Sequence, residues 1–300
     1  MTVGLLEDFL RATDEWNLGV YGVHVYHAGA DPIERRLRSD DRVNVYSVAK
    51  AFTAVALGLA QAEGHLTLDD TLLSHFPELA SSAAEGVEQI TLRHLLNMTS
   101  GTSHRWFADQ RIQTPDLLHE IIEAPLEALP GQHFAYTGSG AYAIGRTITR
   151  AAGVDLRSYL MPRLFASLDL HNPGWHACPQ GFTFAESDLF LRTHELARFA
   201  QLLLQEGHWG ERQIVPASFV HEMVADPVDT SSIDYGDRWT FGYGLGVWID
   251  MDGMYRMDGR YGQYVVICPR RKIAVTVTAH CEQDSRLLDA IHAFILDRVD

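Results

Sequence analysis

Ser47 and Lys50 stand three residues apart in Ser47-Val48-Ala49-Lys50, at the head of an apolar run from Val48 to Ala60. On a helix this spacing turns both side chains to one face. A serine hydroxyl attacks a carbonyl poorly until a base takes its proton. A lysine at the mouth of a buried helix can be that base if desolvation favours its neutral form. The same four residues also read as an N-cap serine followed by a surface lysine. The apolar run argues against that, because a segment hydrophobic all round lies inside the protein. A second group is Tyr136, which follows the turn Pro130-Gly131 and precedes Thr137-Gly138 and the apolar stretch Ala141 to Ile148. A phenol or phenolate beside a lysine can relay protons between nucleophile and leaving group; taken alone, it is a loop tyrosine capping a helix. The third is Met257-Asp258-Gly259-Arg260-Tyr261-Gly262-Gln263, ahead of a strand at Tyr264. Glycines there let a strand edge approach a ligand closely. The backbone N–H of Arg260, with that of Ser47, could form an oxyanion hole; the bland reading is a plain turn.

Elements at both ends of the chain must position these groups. Val20 to Tyr26 reads as a strand, and Asp31-Pro32 as a turn into a second extended segment ending near Val45. The buried helix follows, with Gly64 as its stop. From about Leu68 to Leu204 the pattern is mainly helical, with Leu92 to Met98 stopped by Gly101 and Leu196 to Leu204 stopped by Gly207. Strand signals return at Phe241 to Ile249, and Tyr264–Cys268 and Ile273–Thr278 flank Pro269–Lys272 as a hairpin. Leu5, Leu6, Phe9 and Leu10 repeat at helical spacing, and Leu287 to Val299 is an amphipathic helix. This order predicts an α+β fold: an antiparallel sheet flanked by terminal helices, with a mainly helical insertion domain. The expected limits are 1–67 and 205–300 for the sheet and 68–204 for the helices.

Composition narrows the classes. The 300 residues are 46% hydrophobic and 21% charged, as in an ordinary globular protein with a sizeable core. The net charge of −15 disfavours nucleic acid and anionic membranes as partners. No apolar stretch is long enough to span a bilayer. The N-terminal residues lack a basic region followed by an apolar run, so no signal peptide is expected and a cytoplasmic location is. Cys178, Cys268 and Cys281 have no CxxC spacing and are expected to be reduced. Of the fifteen histidines, those in His119-Glu120, His194-Glu195 and His221-Glu222 lack a second His at zincin spacing. Gly138-Ser139-Gly140 lacks the spacing of a nucleophile elbow. Neither a metal nor a cofactor is expected. Trp106 and Trp175 lie in the helical insert, where they could line a substrate pocket or simply pack in the core.

Taken together and in this order, the motifs resemble the serine β-lactamase and penicillin-binding-protein superfamily, in its class C-like and esterase branch. The stretch Leu92-Arg93-His94-Leu95-Leu96-Asn97-Met98-Thr99-Ser100-Gly101 adds to the likeness, which runs over nearly the whole chain. Gly259-Arg260-Tyr261-Gly262-Gln263 is similar to the form found in amide and ester hydrolases such as the 6-aminohexanoate-dimer hydrolases. The resemblance implies Ser47 as nucleophile, Lys50 as its base partner, Tyr136 as proton relay and the Arg260 N–H as oxyanion donor. Gly138, Asp258 and Gly259 would then border the substrate. Two departures bear on specificity. The tyrosine motif usually ends in Asn, where this chain has Gly138. The strand motif usually begins with a cation and a hydroxyl that grip a substrate carboxylate, where this chain has Met257 and Asp258. Asp258 would repel such an anion by a few kcal/mol at ~4 Å and an effective dielectric of ~20. The expectation is a serine hydrolase of small-molecule esters or amides, with little or no β-lactamase activity. A true class C-like β-lactamase or D-Ala-D-Ala carboxypeptidase is one alternative. A non-catalytic ligand-binding module on the same fold is another. Oligomeric state is not legible.

Overall fold

A computed structural model describes residues 3–102, 104 and 108–299. Its centre is a six-stranded antiparallel sheet built from both ends of the chain. The strands are β1 (Val20–His27), β2 (Ile33–Arg36), β3 (Trp248–Ile249), β4 (Tyr255–Gly259), β5 (Gln263–Cys268) and β6 (Ile273–Ala279), in spatial order β2-β1-β6-β5-β4-β3. The hairpin around Pro269–Lys272 is present, with Cys268 paired to Ile273. Strands β5 and β6 are buried along their whole length, because both faces of the sheet are covered. Tyr264, Val266 and Cys268 share one core with residues of the terminal helices α1 (Glu7–Glu15) and, at the other end, Leu287, Leu288 and Ile291. Val265 and Ile267 point the other way, into the larger core. A strand covered on both faces reads as a continuous apolar run rather than an alternation.

That larger core is organised by α2 (Ala49–Ala62), whose residues Ala49 to Ala60 are all buried. Gly64, at φ 76°, ends it, and the His65 N–H returns to the Ala60 carbonyl at 2.9 Å. This is the left-handed glycine stop expected of an apolar helix that must terminate at the surface. The helical region continues through the short α3 (Ala108–Gln113) and α4 (Ser139–Ala152), which packs on α2. Helix α5 (Thr193–Leu204) lies against β1, β5 and β6. Helix α6 (Asp284–Phe294) closes the fold against α1.

Two expectations are corrected. Only Trp248–Ile249 of the stretch 241–249 is a strand, because Gly242 and Gly246 adopt φ of 119° and 76° and break the pleat. Met257–Gly259, read as part of a turn ahead of a strand, belong to strand β4, which is joined to β5 by the three-residue turn Arg260-Tyr261-Gly262. No helix among the described residues is long and apolar enough to cross a membrane. The three cysteines are buried and free.

Candidate active site

Ser47 sits in a tight turn, Tyr46–Val48, that feeds directly into α2. A small three-stranded sheet fixes this turn by pairing Val43–Asn44 with Leu189–Leu191. Asn44 braces it from both ends: its Oδ1 accepts from the Tyr46 N–H at 2.8 Å, and its amide donates to Asp188 at 2.7 Å. Tyr46 is held at φ 47°, in the left-handed region a tyrosine rarely adopts. Such strain persists where surrounding structure over-determines it, and functional sites are common places for it.

One turn on, Lys50 is only 4% exposed. Its Nζ donates to Ser47 Oγ at 2.9 Å and to the Glu186 carbonyl at 3.1 Å. Burial pulls its pKa down to about 8, against the attraction of Glu186 and with the repulsion of Arg111. A neutral amine is therefore accessible near physiological pH, in hydrogen-bond contact with the serine.

Tyr136 completes the group. Its ring stacks on Trp248 with centroids 5.3 Å apart, and Lys50 Nζ lies 5.0 Å from its centroid. Burial drives its hydroxyl well above the usual phenol range; a hydrogen bond with Ser47 pulls the other way, and the Asp258 charge adds to the rise. Tyr136 thus stays a phenol at neutral pH, able to pass a proton but not to act as a standing phenolate base.

These residues open onto a cleft of about 710 Å³ whose walls include Ser47, Tyr136, Asp258, Gly259 and Arg260. Gly259 shows why a glycine is needed at the end of β4. A Cβ there would stand 2.3 Å from the Val45 carbonyl oxygen, on the segment that carries Ser47. Gly259→Ala must push the strand and the Ser47 turn apart. We expect it to cost about 1–3 kcal/mol of stability and at least ~10-fold in kcat/KM for whatever reaction Ser47 supports, since small misplacements of reacting groups are expensive. Wild-type values of both Tm and kcat/KM in this variant would show that the close approach does not matter.

Asp258 is largely buried at the cleft wall. It accepts from Trp239 Nε1 at 2.8 Å and pairs with Arg256 Nε at 3.1 Å. Arg256 is itself fully buried and shared with Asp250 at 3.0 Å. Burial pushes the Asp258 carboxyl up, Arg256 and Trp239 pull it down, and Asp250 opposes them.

The structure therefore brings Ser47, Lys50, Tyr136, Asp258, Gly259 and Arg260 to one place. Gly138 lies behind them, where a Cβ would meet Glu186 Cγ at 2.8 Å. Trp175 is corrected to a core residue: it is 7% exposed, packs on Phe165, and donates its indole N–H to the Phe184 carbonyl at 2.6 Å. Met257 is likewise buried in the larger core, because neighbours on a strand face opposite ways. Trp106 lies outside the described residues. Sequence reasoning missed Trp239, Tyr235, Asp284 and Ser285 on the cleft wall, and Glu186 and Arg111 behind Lys50. Among the described residues no three His, Cys, Asp or Glu side chains converge as metal ligands would.

A model of the Beta-lactamase family matches residues 20–298. A lovastatin esterase of Penicillium rubens is 29% identical over 155 residues, which are 44% of this chain and 39% of that protein. The chain spans less than two thirds of the length of such curated relatives. Among solved structures, a Bacillus anthracis protein provisionally named a 6-aminohexanoate-dimer hydrolase superposes with a TM-score of 0.78 at 20% identity, over 96% of this chain and 80% of that one. EstCE1, a hydrolase with promiscuous acyltransferase activity, superposes with a TM-score of 0.79 at 17% identity, over 97% and 98% of the two chains. At these identities the structural likeness is one of fold.

Proposed function

The chain belongs to the beta-lactamase family, and from that premise we propose that it is a serine hydrolase cleaving uncharged esters or amides through an acyl-enzyme on Ser47. The observation that carries this reading is the buried Lys50 amine, 2.9 Å from Ser47 Oγ and with its pKa brought to about 8. A lysine with only a structural role gains nothing from losing its solvation. In the reaction, neutral Lys50 takes the Ser47 proton as Oγ bonds to the substrate carbonyl carbon. The backbone N–H groups of Ser47 and Arg260 receive the oxyanion. The proton then passes from Lys50 through the Tyr136 hydroxyl to the leaving alkoxide or amine as its bond to the acyl carbon breaks. Water enters in place of the leaving group, loses a proton along the same path, and releases the acid while Ser47 recovers its hydrogen. No cofactor takes part.

Asp258 supports the limit to substrates without a carboxylate near the scissile bond. It occupies the strand position at which the resemblance leads one to expect a hydroxyl, and its partner Arg256 is shared with Asp250. A panel of a short-chain p-nitrophenyl ester, an amide and a penicillin tests the reading. The ester is expected to exceed the penicillin in kcat/KM by at least ~100-fold, the equivalent of ~3 kcal/mol of charge repulsion. Equal values would contradict the proposed substrate class and restore the β-lactamase alternative.

A further inference from the structure

The backbone carbonyl of Glu186 accepts from Lys50 Nζ, and its side chain is built into the same site. Its side-chain stem lies over Gly138, close enough that any Cβ at that position would stand 2.8 Å from Glu186 Cγ. The tyrosine motif is expected to carry an asparagine there; in this chain the vacated space is filled by a glutamate from a segment 48 positions further along, in contact across the fold rather than along the chain. Glu186 is 5% exposed. One carboxylate oxygen takes Arg111 Nη1 at 2.6 Å, and the other is buried with no hydrogen-bond partner among the described residues. Arg111 is anchored in turn by Asp188 at 2.8 Å and by Ser187 Oγ at 3.0 Å. The main chain of the same glutamate accepts from Lys50 Nζ at 3.1 Å. A buried carboxylate with one oxygen unsatisfied is costly and asks for a reason.

We infer that Glu186, seated over Gly138 and clamped by Arg111, is a positioning residue that holds a negative charge behind Lys50 and so sets how readily the lysine gives up its proton. The inference rests on the proposed role of Lys50 as base. The charged and titratable groups around that lysine divide by element. Glu186 favours the ammonium and Arg111, from α3, disfavours it. Asp188 pairs with Arg111 on the side away from Glu186 and also accepts from Asn44. On the strand side stand the Tyr136 phenol and, beyond it, Asp258. A lysine left with Arg111 alone would be neutral over a wide pH range but too weak a base to draw the serine proton; Brønsted behaviour favours a base whose pKa lies near the working pH.

The test is kcat/KM against pH for a p-nitrophenyl ester, with wild type, Glu186→Gln and Arg111→Met. Glutamine keeps the shape and an acceptor for Arg111 while removing the charge. The acid limb is expected to move down by about one pH unit in Glu186→Gln and up by about one unit in Arg111→Met. The plateau should fall in Glu186→Gln, where the base is weaker. Limbs that stay put, or that move the same way in both variants, overturn the inference even if activity drops. If Glu186→Gln fails to fold, Arg111→Met decides alone, and an unmoved or lowered limb overturns it. A wild type that hydrolyses the ester with Ser47 intact but shows unshifted variants sinks this inference only. A wild type without Ser47-dependent hydrolysis sinks the proposed function and this inference with it.

Discussion

Ser47→Ala is expected to lower kcat/KM for a short-chain p-nitrophenyl ester by about 10⁴-fold or more, because losing the nucleophile of a serine hydrolase leaves only binding and oxyanion stabilisation. The side chain is partly buried in a turn, where its hydroxyl meets Lys50 Nζ and the Tyr136 hydroxyl. Its removal should therefore change Tm little, and loss of activity can be told from loss of fold. A fluorophosphonate should add its mass to the wild type at Ser47 and leave the variant unmodified. Hydrolysis by Ser47→Ala within tenfold of wild type would assign the reaction to another group. A wild type that gains no mass, while a known serine hydrolase does, would favour the reading of the fold as a ligand-binding module. The arrangement around Ser47 weighs against that module. A binder has no use for a desolvated amine and a phenol converging on one hydroxyl, and burying the amine costs stability.

How much of this arrangement can be read along the chain depends on how far apart its parts lie in sequence. Ser47 and Lys50 are legible because one helical turn carries both, and the apolar residues behind them declare that the turn faces inward. Tyr136 is legible through its turn and through the order of the motifs. Glu186 and Arg111 are not, because they reach Lys50 from segments more than 60 residues away in sequence, and a glutamate among Ser187 and Asp188 looks like a solvated loop. Strand β4 escaped for a related reason. Arg256 and Asp258 make Tyr255–Gly259 look like an exposed edge, yet Arg256 is fully buried by pairing with Asp250 and Asp258. A buried ion pair looks the same in sequence as a surface one. The tryptophans show the same limit: Trp175 and Trp239 are equally apolar in sequence, but one packs in the core and the other donates to Asp258 on the cleft wall. The sheet and its flanking helices were legible because both faces are covered by long, regular apolar patterns.

Lys50→Met should separate catalysis from stability in opposite directions. Methionine keeps the apolar stem and discards the amine. Loss of a positioned general base is expected to lower ester kcat/KM by about 10²–10⁴-fold. The stability effect follows from linkage. In the fold the Lys50 pKa is brought from 10.5 to about 8, mainly by burial. Below about pH 8 the lysine is protonated in both states, and the unfolded chain holds that charge more favourably, at a cost to the fold of about 3 kcal/mol. As pH rises through the folded value of about 8 toward the unfolded one, the unfolded state binds more protons and wild-type stability increases. The cost is therefore fully present at pH 7 and largely gone near pH 10. Methionine removes it but leaves the Glu186 carbonyl and Ser47 Oγ without their Nζ donor, which offsets roughly 1 kcal/mol for each lost hydrogen bond. The net expectation is a variant about 1 kcal/mol more stable than wild type at pH 7, with the advantage vanishing or reversing near pH 10. Thermal unfolding of both proteins at the two pH values, beside their ester kinetics, checks this. A variant that is inactive but clearly less stable at pH 7 would mean that the amine mainly holds the structure together. An inactive but stabilised one would mean that the fold retains a desolvated lysine for its chemistry, as expected where activity and stability compete at one side chain.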